Sequence, residues 1–148
     1  MTFTVQKGTP ADARHLLEAS HALMESLFPS ESNHYLSLDE LEADNIRFIT
    51  AVEDGAVIGC GALAIKSDYC EVKSMFTDPG ARGKGVADAI LAHLSEVGRE
   101  AGAKRLLLET GNTLHAAHRL YERHGFTKRG PFGDYPDDPI SLFYEKPL

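Results

Sequence analysis

One stretch of the sequence combines glycines with basic side chains in a pattern that could hold an anion. Residues 77–87 read Thr-Asp-Pro-Gly-Ala-Arg-Gly-Lys-Gly-Val-Ala, between a strand-like and a helix-like segment. Gly83 and Gly85 would let successive backbone N–H groups approach phosphate oxygens, and the N-terminus of the next helix adds a favourable dipole. Arg82 and Lys84 add positive charge. The turn therefore predicts a phosphate-binding site.

Two nucleotide-binding motifs do not fit this turn. The phosphate loop of nucleotide hydrolases requires G-x-x-x-x-G-K-[ST]; Gly80 and Gly85 have its spacing, but Val86 and Ala87 replace the lysine and the hydroxyl residue. The dinucleotide-binding pattern G-x-G-x-x-G would need its third glycine where Asp88 stands. Nucleotide hydrolysis is therefore disfavoured, and an ordinary tight turn without a ligand is the alternative interpretation.

The segments around the turn predict the frame that positions it. The helix after the turn has an apolar stripe at three-and-four spacing that ends before Gly102. Asp54-Gly55 is a strong hairpin signal, so the strands on either side are expected to pair antiparallel. The predicted strands are 3–7, 46–52, 57–65, 69–77, 104–109, 126–129 and 140–145, and the predicted helices are 10–27, 37–43, 87–101 and 114–124. This order predicts a three-layer α/β sandwich with a mixed sheet.

Composition limits the classes of function. The chain has 148 residues, 43% of them apolar, and a formal charge of −7. This length predicts a single domain, residues 1–148, that folds around its own core without disulfides. The excess of acidic residues argues against binding to nucleic acid or to an anionic membrane. The start Met1-Thr2-Phe3-Thr4 lacks a leader pattern, so a cytoplasmic location is expected.

Two motifs give the chain a specific resemblance. Arg82 to Ala87 fits the pattern Arg/Gln-x-x-Gly-x-Gly/Ala between a strand and a helix. Leu120 to Phe126 fits Leu-Tyr-x-x-x-Gly-Phe at the end of the next helix. With this order of elements over nearly the whole chain, the sequence resembles the GNAT superfamily of acyl-CoA-dependent N-acetyltransferases. The resemblance implies a three-layer α/β/α sandwich with a mixed, largely antiparallel central sheet.

The resemblance also implies where acetyl-CoA, the acetyl donor, is bound. In the family, the strand before the glycine turn diverges from its neighbour and its backbone hydrogen-bonds the pantetheine arm; here that strand end is Met75, Phe76 and Thr77. The pyrophosphate is expected on the backbone amides of Arg82, Gly83, Lys84, Gly85, Val86 and Ala87. Many members have an asparagine where this chain has Leu114; Asn112 is expected to cap the helix, with a cofactor contact as the alternative.

Two residues are candidates for the proton transfers. The resemblance implies that Tyr121 lies near the thioester sulfur as the general acid; a buried aromatic that packs the helix on the sheet is the alternative. Period-two alternation puts Glu71 on the same strand face as Lys73 and Met75. Family bases often come from this strand, so Glu71 is the predicted base, and a carboxylate paired with Lys73 is the alternative.

Two loops are candidates for the acceptor site. His34 and Tyr35 lie in the loop that borders the acceptor site in the family, and Asp134 and Tyr135 lie in the loop expected across from it. All four are predicted substrate contacts, with ordinary surface positions as the alternative.

No metal site is predicted. Cys60 and Cys70 form no C-x-x-C pair and are expected to be buried, reduced thiols. His115 and His118 are three residues apart on one helix but lack a third ligand nearby in sequence.

Together these features predict transfer of an acetyl group from acetyl-CoA to a primary amine, chiefly of a small molecule, by direct attack in a ternary complex. Acetylation of a protein N-terminus or lysine, and a non-catalytic CoA-binding module, are the alternatives. The net charge is +4 for residues 82–129, −8 for 1–81 and −3 for 130–148, which suits an anionic donor and a cationic acceptor. Family analogy allows a homodimer.

Overall fold

The chain alternates strands and helices in the order that its hydrophobic periodicity predicts. The computed structural model describes residues 2–148, so Met1 of the polar N-terminal start lies outside it. The strands are β1 (Thr4–Lys7), β2 (Ile46–Glu53), β3 (Ala56–Ile65), β4 (Cys70–Thr77), β5 (Arg105–Gly111), β6 (Thr127–Arg129) and β7 (Ser141–Pro147). The α-helices are α1 (Arg14–Leu27), α2 (Val86–Glu100) and α3 (His115–Arg123), and short 3-10 turns cover Pro10–Ala13, Ser30–Ser32, Glu40–Glu42 and Pro79–Ala81.

The strands form one seven-stranded sheet in the order β1-β2-β3-β4-β5-β7-β6. Every neighbouring pair is antiparallel except β4 and β5, which are joined through the crossover helix α2 and run parallel. The prediction of a mixed, largely antiparallel sheet is therefore confirmed. Within residues 2–148, no helix combines the length and the apolar character that a bilayer crossing needs.

Local signals in the sequence set the ends of several elements. Asp54 and Gly55 have φ of 51° and 80°, as a type I′ hairpin between β2 and β3 requires. Thr9 and Asp12 form a reciprocal capping box, although the turn that they cap is a 3-10 turn that leads into α1. Gly102, with φ of 82°, follows the end of α2. The predicted boundaries of these elements therefore hold to within a few residues, whereas the helix predicted over residues 37–43 is only the 3-10 turn Glu40–Glu42.

The sheet buries an apolar layer on each face. On one face, Ile90, Leu91 and Leu94 of α2 are fully buried against the strands. On the other face, Leu16 and Leu17 of α1 pack in a separate cluster with side chains of β2 and β3. Helices on both faces make the three layers that the sequence predicts. Both cysteines are free and buried, as expected: Cys60 belongs to the α1 cluster and Cys70 to the α2 cluster.

A bulge in β4 changes which side chains face each layer. The pairing of β3 with β4 shifts register between Cys60 and Ala62, and Ser74 has a positive φ of 57°. Lys73 reaches the loop of His34, whereas Met75 packs on the α2 side beside Gly61. The prediction that Met75 shares a face with Glu71 and Lys73 is therefore wrong, because the bulge interrupts the period-two alternation.

Strands β4 and β5 stay together over two residue pairs only, Cys70 with Leu106 and Glu71 with Leu107. From Val72 onward they diverge, so the edge of β4 that faces β5 has no strand partner there. The divergence that the family resemblance implies is thus present in this chain.

Gly61 allows the bulge to pack closely against α2. A Cβ atom at this position would lie 2.7 Å from Met75 Sδ and 2.8 Å from Ile90 Cγ2. We therefore expect Gly61→Ala to lower the free energy of unfolding by about 1–3 kcal/mol through overpacking, measured by denaturant unfolding. Gly130→Ala is the control, since no atom lies within 4 Å of its Cβ position, and a change of less than about 0.5 kcal/mol is expected there. Equal effects of the two substitutions would contradict this explanation.

Candidate active site

The divergence of β4 and β5 opens a cavity of about 150 Å³, here called the first cavity. Its walls come from α1, the loop after α1, both strands and α3. They include Met24, Phe28, His34, Val72, Lys73, Ser74, Met75, Glu109, Leu114 and Tyr121. Five of these ten side chains are apolar, and they lie beside the polar side chains of His34, Lys73, Ser74, Glu109 and Tyr121.

The end of β4 offers its backbone to this gap. Phe76 and Thr77 pair with Cys60 and Gly59 of β3 on one edge of the strand. The opposite edge faces the gap and has no strand partner. Partly buried backbone N–H and C=O groups need hydrogen-bond partners, and an extended ligand beside Met75, Phe76 and Thr77 could supply them.

The glycine turn lies just beyond this strand end. Gly83 and Gly85 have φ of 83° and 81°, a left-handed conformation that explains the glycines, and no atom lies within 4 Å of the Cβ position of either. Gly85 is the N-cap of α2 and provides no side-chain cap. The first N–H groups of α2, from Val86 and Ala87 onward, therefore meet an open surface, which is the arrangement that binds an anion.

The charges beside the turn differ in their partners. The Lys84 ammonium lies 3.5 Å from the Glu53 carboxylate, and both groups are at the surface. The Arg82 guanidinium lies 5.7 Å from the centre of the Phe76 ring, and Arg82 makes no ion pair among residues 2–148. Arg82 is therefore the cation of the turn that is available to a bound anion.

An ion pair joins the start of α2 to the end of α3. Asp88 Oδ1 accepts hydrogen bonds from Arg123 at 2.9 Å and from His124 at 2.8 Å. Burial alone would raise the pKa of Asp88, but the bonds from His124 and Arg123 outweigh it and hold the pKa below its usual range. This contact fixes the helix that carries Tyr121 relative to the glycine turn.

Tyr121 is both a packing residue and a wall of the first cavity. The residue is 7% exposed, and its ring contacts Phe126 and Tyr144 at centroid distances of 5.7 and 6.2 Å. Burial raises the pKa of its hydroxyl above the ordinary range, and the nearby Glu109 carboxylate raises it further. The phenol is therefore protonated at neutral pH, which is the state that a proton donor needs.

The carboxylate of Glu109, on β5, lines the first cavity together with Tyr121. Burial raises its pKa, although a hydrogen bond of 2.8 Å from the Ser141 hydroxyl opposes the shift. Glu109 is not the base that the sequence patterns predict. A signal was nevertheless present, because Glu109 is the one charged residue between the ends of an otherwise apolar or small-residue strand, Arg105–Gly111.

Glu71, the predicted base, is buried at 5% exposure and does not line the first cavity. Its carboxylate lies 3.4 Å from the Lys73 ammonium and accepts a hydrogen bond from the Tyr135 hydroxyl. The ion pair that the sequence analysis offered as the alternative is therefore present, and the catalytic role of Glu71 stays a prediction.

The four predicted acceptor contacts meet around a second cavity of about 390 Å³, which shares His34, Tyr35 and Lys73 with the first. His34, Tyr35, Asp134 and Tyr135 all line it, so the two loops do face each other as expected. Its charged side chains are Glu40, Lys66, Glu71, Lys73 and Asp134. Both signs of charge are present at this surface, which the net charges of the sequence segments do not reveal.

Two of these side chains pack against other aromatic rings. The Tyr35 ring stacks on His21 at 3.9 Å, and its hydroxyl donates to Glu25 at 2.6 Å. The His34 ring meets the edge of Tyr135 at 5.2 Å, and its Nε2 atom is buried without a hydrogen-bond partner among the described residues. A buried polar atom without a partner is uncommon, and at a cavity wall it is a candidate contact for a ligand.

Asn112 does not cap α3. The N-cap position is Leu114, which makes no side-chain capping bond, and the Asn112 amide instead donates to the Pro139 carbonyl at 3.3 Å. The capping prediction is therefore wrong, because α3 begins at His115 and Asn112 lies two residues before the N-cap position. His118, one of the two histidines on α3, has its Nε2 atom 2.8 Å from the Gly111 carbonyl. Residues 2–148 contain no group of three or more side chains placed to bind a metal ion.

Comparison with known proteins adds to this geometry. The family model described as "Acetyltransferase (GNAT) family" matches residues 13–126. The chain is also 46% identical over 135 residues to an IAA acetyltransferase from Azospirillum brasilense, covering 90% of this chain and 88% of that protein. The chain belongs to the GNAT family of acetyltransferases.

Other similar proteins are also described as N-acetyltransferases or N-acyltransferases. An N-acetyltransferase of Bacillus subtilis strain 168, YsnE, is 41% identical over 128 residues, covering 84% of this chain and 85% of that protein. A crystal structure of a Klebsiella pneumoniae protein assigned to the acyl-CoA N-acyltransferases superposes with a TM-score of 0.83 at 32% identity, covering 99% and 97% of the two chains. The PaiA N-acetyltransferase of Thermoplasma acidophilum, solved with coenzyme A, shares the fold at a TM-score of 0.75 and 15% identity, with 100% of each chain covered.

Proposed function

We propose that this acetyltransferase transfers the acetyl group of acetyl-CoA to a primary amine of a small molecule, by direct attack in a ternary complex. The observation that carries the proposal is the first cavity, where the unpaired edge of β4 meets Tyr121 and Glu109. The PaiA N-acetyltransferase, which shares the fold, was solved with coenzyme A, and this supports acetyl-CoA as the donor.

The donor would extend along two features of the backbone. Its pyrophosphate would bind the turn from Arg82 to Ala87, where N–H groups and one available cation meet an open surface. Its pantetheine arm would run beside Met75, Phe76 and Thr77, and a backbone N–H near Met75 would polarise the thioester oxygen. Asn112 would contribute at most a contact near the arm, because its amide is engaged by Pro139.

The reaction requires two proton transfers. The amine must lose a proton to attack, and Glu109 is our candidate for the base because it lines the same cavity as Tyr121. The raised pKa of Glu109 brings its carboxylate closer to the working pH than that of an exposed glutamate. Tyr121 would then protonate the departing thiolate of CoA.

The size of the site favours a small acceptor. The loops that carry His34, Tyr35, Asp134 and Tyr135 line the cavity of about 390 Å³, and the loop of His34 and Tyr35 also lines that of about 150 Å³. Cavities of this size suit a small amine better than an extended peptide. The name of the Azospirillum relative also points to a small molecule as the acceptor class. A protein N-terminus or a lysine is the second candidate, and a non-catalytic CoA-binding module is the third.

An acceptor screen tests the proposal. The protein is incubated with acetyl-CoA and single acceptors: ethanolamine, 1,4-diaminobutane, 2-phenylethylamine, amino acids, and peptides with a free N-terminus or one lysine. Released thiol gives the rate, and mass spectrometry identifies the acetylated product. Acetylation of one or more small amines is expected; acetylation of peptides alone would favour the second candidate, and CoA binding without turnover on any acceptor would favour the third.

The turn can be tested with a pair of matched glycines. Gly85 and Gly102 have almost the same φ, 81° and 82°, and open space at their Cβ positions, so an alanine is strained equally at either. Gly85→Ala is expected to weaken the affinity for CoA by about tenfold or more, since the strain displaces the anion-binding amides. Gly102→Ala is expected to lower stability alone. Calorimetric titration with CoA and thermal unfolding separate the two, and equal loss of CoA affinity would contradict the assignment.

The role of Tyr121 predicts a kinetic effect without a binding effect. Tyr121→Phe keeps the ring that packs on Phe126 and removes the proton donor, so kcat is expected to fall by about 100-fold. The affinity for acetyl-CoA should stay within about twofold. Steady-state kinetics on an acceptor from the screen measures both, and an unchanged kcat would exclude the general-acid role.

The base is identified by the pH dependence of the rate. A base must be deprotonated, so the rate rises with pH through the pKa of Glu109, which burial raises. Glu109→Gln is expected to abolish this acidic limb and to lower kcat by about 100-fold. Glu71→Gln is expected to keep the limb, and loss of the limb in Glu71→Gln instead would restore Glu71 as the base.

A further inference from the structure

The ammonium group of Lys73 lies where three separate segments of the chain meet. It donates to the His34 carbonyl at 3.0 Å and to the Tyr135 hydroxyl at 2.7 Å, and it lies 3.4 Å from the Glu71 carboxylate. An ammonium has three N–H donors, so each donor has a partner here. We call these groups the Lys73 cluster: Glu71, Lys73, Tyr135 and the carbonyl of His34.

The Lys73 cluster is largely buried at the wall of the second cavity, and it pairs one positive with one negative charge. The Lys73 and Glu71 side chains are 11% and 7% exposed. Buried charges are stable only when they are paired and hydrogen-bonded, and here the Tyr135 hydroxyl accepts from Lys73 and donates to Glu71. Each polar group therefore depends on the others, and loss of the ammonium would leave a buried carboxylate and two oxygens without their donor.

The cluster ties both acceptor loops to the strand that borders the donor. His34 belongs to the loop of residues 28–38, Tyr135 to the loop of residues 130–139, and Lys73 to β4. A further bond, from the Ser32 hydroxyl to Asp138 at 2.7 Å, joins the loops to each other but not to β4. The Tyr135 hydroxyl also donates to Glu71 of β4, so the loop of residues 130–139 is attached to β4 through both Lys73 and Glu71. The loop of residues 28–38 is hydrogen-bonded to β4 through Lys73.

Lys73 also lies in the wall shared by the two cavities. It precedes the bulge at Ser74, and this is why it points to the loops while Met75 points to α2. We propose that Lys73 is a positioning residue of the acceptor site, whose ammonium holds the loops 28–38 and 130–139 at a fixed distance from β4. This inference rests on the proposed function for the identity of the site. The hydrogen bonds of Lys73 go to His34, Glu71 and Tyr135, and none of these residues belongs to the glycine turn.

Kinetics with two substrates tests the inference. Lys73→Met keeps an unbranched side chain that is one atom shorter, and it removes the charge and its donors. The double variant Glu71→Gln/Lys73→Met also removes the stranded carboxylate, so that it folds even if the single variant does not. Lys128→Met, on the exposed edge strand β6, is the matched control. With the most active primary amine of the screen, KM for the amine is expected to rise about tenfold or more, and KM for acetyl-CoA to change by less than about twofold, in both Lys73 variants.

Hydrogen exchange provides a measurement that needs no acceptor. Amides of residues 28–38 and 130–139 are expected to exchange faster in the Lys73 variants, with α2 and the CoA affinity unchanged, whereas Lys128→Met matches the parent protein. If the screen finds no amine, this result still decides the inference, so its failure is distinct from failure of the proposed function. Unchanged exchange in both loops, or an equal rise of KM for donor and amine, would overturn it.

Discussion

The candidate active site depends on the bulge in β4 at Ser74, where the backbone adopts a left-handed conformation that residues other than glycine rarely take. Before it, Lys73 faces the acceptor loops; after it, Met75 packs beside Gly61 and Ile90 on the opposite face. A non-glycine residue in the left-handed region costs about 1–2 kcal/mol, and such a cost persists only where the surroundings impose it. Here the surroundings are the close packing on α2 and the buried cluster of Lys73.

In the proposed mechanism, the same strand lies between the donor and the acceptor. The unpaired edge of β4 is followed in the chain by the glycine turn. Before the bulge, the Lys73 side chain contacts the loops. Two polar contacts hold the elements on either side in place: the pair of Asp88 with Arg123 fixes α3 on α2, and the ammonium of Lys73 fixes the loops on β4. Tyr121 and Glu109 lie between these supports, in the first cavity.

Much of the frame could be predicted because its signals are local. The Asp54-Gly55 hairpin, the capping box at Thr9 and the left-handed glycines of the turn each follow from the conformations that neighbouring residues allow. The face of Met75 could not be predicted, because no residue type near Ser74 marks a bulge in β4. Its cause is packing between elements that are distant in sequence.

The site was predictable to different degrees for similar reasons. The cap predicted for Asn112 failed because the N-cap of α3 is Leu114, two residues later, and the Asn112 amide donates to the Pro139 carbonyl, 27 residues away. Glu109 could have been found as a charge inside a buried strand, whereas the cluster of Lys73 depends on two loops whose conformations no local pattern sets.

The junction of β4 and β5 is only two residue pairs long, against seven pairs between β5 and β7. The sheet is therefore nearly divided into two blocks. Under the proposed function, acetyl-CoA in the gap would take the place of the missing pairs, and at 100 times its Kd it would add about 2.7 kcal/mol to the free energy of unfolding. The stability of the folded enzyme would thereby depend on the concentration of its own acetyl donor.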